Sequence, residues 1–169
     1  MAVSMFRLSV PVFQRGLQVM STYLDKTEAF AQETRTDVDA LVGARLAPDM
    51  LPLSGQYQRV SDTAKLTIGR VTGVEMPRFE DTEQTIAELR ERLAKTEAFL
   101  ATVAPEKFET AEARTVTISL GGTSVSMRGD EYLLTFALPN FYFHIATAHA
   151  ILRHAGVAVG KRDYLGSFG

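Results

Sequence analysis

The residues best suited to chemistry gather in one stretch near the end of the chain. All three histidines, His144, His149 and His154, fall there at steps of five. On a helix, residues three or four apart share a face, whereas a step of five leaves a net turn of about 140°. The three imidazoles therefore cannot converge on one ion unaided. No pair of histidines four apart is present, and no Glu-x-x-His pairing of the di-iron kind. Asn140 and His144 are four apart and do share a face. Pro139 lies beside them, and an interior proline frees the carbonyl of Thr135 and tends to bend the helix. A buried polar group left unpaired costs about 1–3 kcal/mol, so both side chains need partners. Asp62, set among Val60, Ala64 and Leu66 of another amphipathic segment, is the best-placed carboxylate. It is expected to orient or charge His144, and either could hold a divalent metal together with Asn140.

Other chemistries are excluded. With no cysteine, disulfides, thiolate zinc sites, iron–sulfur clusters and a cysteine nucleophile are ruled out. There is no Gly-x-Ser-x-Gly elbow, and Gly121-Gly122 joins two strands instead of opening a helix, so it is no phosphate loop. Eighteen basic against twenty acidic residues give a net charge of −2, which argues against a nucleic-acid or anionic-membrane partner. Phe136, Phe141, Tyr142 and Phe143 could wall a pocket for a small apolar ligand, oriented by Asn140 and His144. His149 is expected at an interface or groove. His154 falls in a last helical turn, where a cationic ring suits the helix dipole.

The elements that must position these residues follow from periodicity. Phe6, Val10, Phe13, Leu17, Met20 and Leu24 form the stripe of a first helix, which either starts near Ser9 or bends at Pro11. Residues 25–35 read as polar and irregular, and a short helix follows at about 37–46. Tyr57, Val60, Ala64, Ile68 and Val71 mark helix two, with Ser54 as its N-cap and Gly73 as its stop. Ile86, Leu89, Leu93, Thr96, Leu100 and Val103 mark helix three, with Asp81 and Gln84 as a capping box and Pro105 as its end. Glu88 with Arg92, and Glu91 with Lys95, read as pairs on its solvated face. Residues 115–128 switch to a period of two around Gly121-Gly122, a β-hairpin. Helix four runs from about Asp130 to His154 and is apolar nearly all round, so much of its surface must be covered. The reading is one domain over residues 1–169: an all-α four-helix bundle with a long crossover between helices one and two and a small hairpin between helices three and four. The excess apolar surface of helix four predicts a homodimer, with that helix or the hairpin at the interface. Only Tyr132 to Leu152 is long and uncharged enough for a membrane span, and with Pro139, Asn140, His144 and His149 it reads as a buried helix instead; with no targeting segment evident, a cytoplasmic location is expected.

Five segments carry a resemblance. Leu138-Pro-Asn-Phe-Tyr-Phe-His144 and Ile151-Leu-Arg-His-Ala-Gly156 resemble the last helix of the DinB-like (YfiT-like) metalloenzyme superfamily. Val10-Pro-Val-Phe13, Ala44-Arg-Leu-Ala-Pro-Asp-Met50 and Gly160-Lys-Arg-Asp-Tyr-Leu-Gly166 are similar to one branch of it, a domain of unknown function. The resemblance implies a four-helix bundle, often dimeric. It implies a metal site built from one histidine of helix two and two histidines four apart on the last helix. Aligning the Leu-Arg-x-x-Gly end places that pair on Asn140 and His144, with the helix-two position near Asp62. Two of the three imidazoles are thus replaced, which lowers affinity for zinc or nickel. Three readings stand. Asp62, Asn140 and His144 form a buried, structural remnant of a metal site, with a divalent ion such as zinc or nickel bound weakly or not at all; this reading is preferred. Alternatively they form the centre of a divalent-metal hydrolase or transferase. The third reading is a small apolar ligand module, with Phe136, Tyr142 and Phe143 around the pocket.

Overall fold

In the computed structural model, residues 3–166 are described; Met1, Ala2 and residues 167–169 lie outside that range. The chain is mostly helical, with one small two-stranded antiparallel sheet. Four long helical runs dominate: α1 (Met5–Thr34), α3 (Leu53–Thr72), α4 (Ile86–Ala101), and a last run made of α5 (Gly129–Tyr132), a π-helical turn (Leu133–Ala137) and α6 (Leu138–His154). Short helices α2 (Val38–Val42) and α7 (Lys161–Leu165) lie in the connection between α1 and α3 and at the C-terminal end. Among the described residues no helix is long and apolar enough to cross a membrane.

The stripes read from the sequence bury as a single core. Phe13, Leu17, Met20 and Leu24 of α1 meet Tyr57, Val60, Ala64 and Ile68 of α3, Leu89, Leu93 and Leu100 of α4, and Phe141, Ile145 and Leu152 of α6. α3 lies centrally and touches α1, α4 and α6. This contact places α3 beside the polar residues of α6.

Several boundaries differ from expectation. α1 begins at Met5, capped by Ser4, whose hydroxyl accepts from the Arg7 amide at 3.3 Å. Pro11 sits inside it on the solvent side, where water can serve the carbonyl the proline leaves without a donor. Residues 25–34 are helical, not irregular. Tyr23, Thr27 and Ala31 continue the buried stripe, and Thr27 folds its hydroxyl back on the Tyr23 carbonyl at 2.7 Å. The helix stops at Arg35, in the left-handed region at φ 57°. α2 is shorter than the segment 37–46. α3 starts at Leu53, before Ser54, with the Leu53 amide donating to the Ala44 carbonyl at 2.8 Å. α4 is capped by the reciprocal pair Thr85 and Glu88, not by Asp81 and Gln84. Glu88 is thereby committed to the cap, and Arg92 turns inward instead of pairing with it on the surface. Glu91 and Lys95 do pair, at 2.7 Å.

The hairpin joins β1 (Thr115–Leu120) to β2 (Thr123–Arg128) in antiparallel register, with Ile118 opposite Val125 and Leu120 opposite Thr123. Gly121 and Gly122 have φ of 56° and 86°, the double positive φ a two-residue turn of this hand requires. Val116 and Ile118 point into the core. At the exit, Gly129 packs on the chain so closely that a Cβ would lie 1.9 Å from the Ala111 carbonyl oxygen. The π turn follows, its ladder closed by the Leu138 amide on the Leu133 carbonyl. It sits directly before Pro139, which lacks the donor that an α-helical ladder would demand for Thr135.

Candidate functional site

Asn140 and His144 project from α6 onto α3, where each meets one neutral partner. His144 Nδ1 is 2.8 Å from Gln56 Oε1, and Asn140 Nδ2 donates to Thr63 Oγ1 at 2.8 Å. Gln56 and Thr63 are seven apart on α3, two turns, so they face the same neighbour.

The hydrogen bonds fix which atoms carry protons. Gln56 Nε2 donates to the Leu51 carbonyl at 3.0 Å, so Oε1 is the atom turned toward His144 and can only accept. His144 is therefore the Nδ1–H tautomer, with an unprotonated lone pair on Nε2. Likewise the Thr63 hydroxyl donates to the Arg59 carbonyl at 2.6 Å, so it accepts from Asn140, whose Oδ1 faces the other way. Burial, and secondarily the Arg59 guanidinium, lower the His144 pKa from 6.5 to about 4. The imidazole is neutral at physiological pH.

Asp62 is not part of this group. One residue along α3 from Thr63, it points about 100° away. There it is held by Lys65 and Arg92, each at 2.9 Å from Oδ1, with Arg59 3.5 Å from Oδ2. Arg92, nearly inaccessible at 2% exposure, also reaches Asp81 at 3.0 Å, Glu83 at 2.7 Å and the Glu80 carbonyl at 3.0 Å. Arg59 also pairs with Asp81. Phe79 covers the cluster, its ring centroid 5.1 Å from Lys65 Nζ and 5.5 Å from the Arg92 guanidinium. Asp62 is thus a member of a charged cluster that pins the 73–85 connection to α3 and α4. The carboxylate expected beside His144 is replaced there by Gln56.

The three proposed pocket aromatics also separate. Phe136 stacks on Tyr132 at 5.7 Å. Tyr142 lines a cavity of about 100 Å³ with Val19, Ile145 and Tyr164. Phe143 is 58% exposed and meets the His144 ring edge-on at 5.2 Å. His149 Nδ1 is hydrogen-bonded to the buried Tyr23 hydroxyl at 2.8 Å, and the ring packs near Tyr164 of α7. His154 is exposed in the last turn of α6.

Among the described residues, no group of three His, Cys, Asp or Glu side chains is placed to hold a metal ion. What the α3–α6 seam offers is one imidazole and one amide oxygen. That donor set does not fit zinc or nickel, which favour several imidazole or anionic ligands. Gln56, Thr63 and Arg59 escaped the sequence reading. Their signal was Gln56 and Thr63, two polar residues at helical spacing bordering the buried Val60 and Ala64.

The family described as Domain of unknown function (DUF1993) matches residues 5–165. Among curated proteins nothing matches. Among solved structures, a DinB family member protein from Shewanella denitrificans is 40% identical, with a TM-score of 0.89, over 96% of this chain and 92% of that one. With nearly its whole length accounted for on both grounds, the chain belongs to the DUF1993 family, a DinB-like branch of unknown function.

Proposed function

We propose that this protein is a metal-free DinB-like four-helix bundle with a long crossover between its first two long helices. Its α3–α6 seam is a neutral hydrogen-bonding site where the superfamily keeps a metal. The observation that carries this reading is the fixed polarity of Gln56. Its amide is tied to Leu51, so it satisfies His144 without charge. The reading as a divalent-metal hydrolase or transferase requires Asp62 to leave Lys65 and Arg92 and swing toward α6. Breaking a buried pair of that kind costs several kcal/mol. Nor is His144 suited to general-base work, because a pKa near 4 lies far from the working pH at which such a base is effective. As an uncharged acceptor it suits binding.

The test is metal analysis of purified wild type beside His144→Ala. The expected result is no stoichiometric metal in either protein and a stability loss of about 1–2 kcal/mol in the variant, from the orphaned Gln56. A metal that survives dialysis and disappears in His144→Ala reverses the reading.

The protein is also proposed to form a homodimer. Leu134 and Tyr142 on the last helical run, and Leu120 and Val125 in the hairpin, are large apolar side chains exposed to solvent. Light scattering at micromolar concentration should give twice the mass of the chain; a monomer there counts against it.

A further inference from the structure

The two side chains that α6 sends to α3 each use only one polar atom in the seam. The inner atoms, His144 Nδ1 and Asn140 Nδ2, are spent on Gln56 and Thr63. The outer atoms, His144 Nε2 and Asn140 Oδ1, have no hydrogen-bond partner among the described residues. Among the described residues Arg92 Nε is the one fully buried side-chain polar atom without a partner, so neither outer atom is sealed from solvent, although His144 as a whole is only 9% exposed. Both are neutral acceptors, one helical turn apart, with their Cβ atoms roughly 5–6 Å from each other. Phe143, at i+3 from Asn140 and next to His144, supplies a flat apolar surface beside them and is 58% exposed.

We propose that Asn140, Phe143 and His144 form a binding site for a neutral polyhydroxylated molecule, a sugar-like ring with two adjacent hydroxyls. The hydroxyls donate to Nε2 and Oδ1, and the C–H face of the ring lies on Phe143. This rests on the metal-free reading, because a metal ion would consume the Nε2 lone pair.

The chemistry of the site selects against the other classes. An ammonium would give up its hydration for two neutral acceptors with no free carboxylate beside them, since Asp62 is held by Lys65 and Arg92. A carboxylate or phosphate would face two acceptors, and the nearby Arg59 is already engaged by Asp62 and Asp81. A purely apolar ligand would leave both acceptors desolvated and unpaired, which is costly. A diol satisfies both. The pairs to Gln56 and Thr63 hold the two acceptors in place before the ligand arrives, which reduces the ordering cost of binding.

The probe is methyl β-D-glucopyranoside, with cyclohexanol as a control of similar bulk and a single hydroxyl. The readout is the ¹⁵N resonance of His144 Nε2 in metal-free protein. Saturable movement of that resonance with the glucoside is expected, and a clearly weaker response to cyclohexanol. Asn140→Ala and Phe143→Ala should each weaken binding roughly fivefold or more, the worth of one hydrogen bond or one apolar contact face. Phe143→Ala keeps the test decisive, since an exposed ring is removed and the fold should persist. No saturable shift, an equal response to cyclohexanol, or undiminished binding in Phe143→Ala overturns the assignment of ligand class. Stoichiometric zinc shifting the same nitrogen overturns the metal-free reading instead.

Discussion

Replacing Arg92 with alanine is expected to lower the free energy of unfolding by about 3–5 kcal/mol, the cost of removing one partner from a buried ion cluster. Among the described residues, Arg92 alone touches Asp62, Asp81, Glu83 and the Glu80 carbonyl together. Without it, three carboxylates crowd the α3–α4 seam, opposed among the described residues by Lys65 and Arg59. Burial alone would push the Glu83 carboxyl up, but hydrogen bonds from Arg92 and Gln58 outweigh it and hold the pKa below the usual value. In the variant that protection is lost, and the Glu83 pKa should rise. Arg92→Lys should recover part of the loss, since one ammonium lacks the planar fork that reaches several acceptors at once. Urea unfolding of the three proteins measures this. A cost for Arg92→Ala under about 1 kcal/mol, the scale of an exposed pair, would show that the cluster does not anchor the 73–85 connection.

The second large effect is one of pH. Stability of the wild type is expected to fall by about 2–3 kcal/mol as pH drops from the unfolded-state pKa of His144, 6.5, toward its folded-state value of about 4. The sign follows from proton counts. In that window the unfolded chain binds a proton at this residue and the folded chain does not, so unfolding takes up a proton and is favoured by acid. Above 6.5 the contribution is fully present. His144→Gln should flatten most of the slope. A smaller residual in the same direction should remain from His149, whose pKa burial also lowers, with Asp163 opposing and Arg153 assisting. Denaturant midpoints collected across this range for both proteins decide the matter; an unchanged slope in His144→Gln would place the acid sensitivity elsewhere.

The helical stripes were legible because core burial and the 3.6-residue period are the same fact seen twice. Every apolar residue named for helix two and helix three is buried. The hairpin was legible because two consecutive glycines inside a period-two segment have few other uses. Residues 25–34 were missed because their buried side is made of Thr27 and Ala31, which carry little apolar signal, while Asp25 and Glu28 face Arg90 at 2.9 and 2.7 Å. The site was half legible. Spacing alone put Asn140 and His144 on one face, and both do reach α3. Which residue of α3 they meet depends on the axial offset between two helices, and no local pattern encodes it. Asp62 was misdirected for a second reason. Its true partners, Arg92 and Lys65, lie on and beside stripes where a sequence reading assigns cations to water, and the carboxylates Asp81 and Glu83 sit in an aperiodic connection. Arg92 read as the i+4 mate of Glu88, because nothing in the sequence shows that Glu88 is consumed by the cap at Thr85.

The π turn at Leu133–Ala137 gives the last helical run an angular phase that a plain helix of the same length would not have. One extra residue is wound into a single turn, so everything beyond it is displaced by about 100° relative to an uninterrupted α-helix. Asn140 and His144 face α3 only because that displacement is present. A chain one residue shorter within 133–137 could close the turn as ordinary α-helix and leave both flanks facing as they do now. A chain that keeps all its residues but straightens the turn would carry the two side chains away from Thr63 and Gln56. In comparisons among relatives, a single-residue gap at this point is therefore neutral for the seam, while the same gap anywhere in 138–144 rotates the residues before it out of alignment with α3.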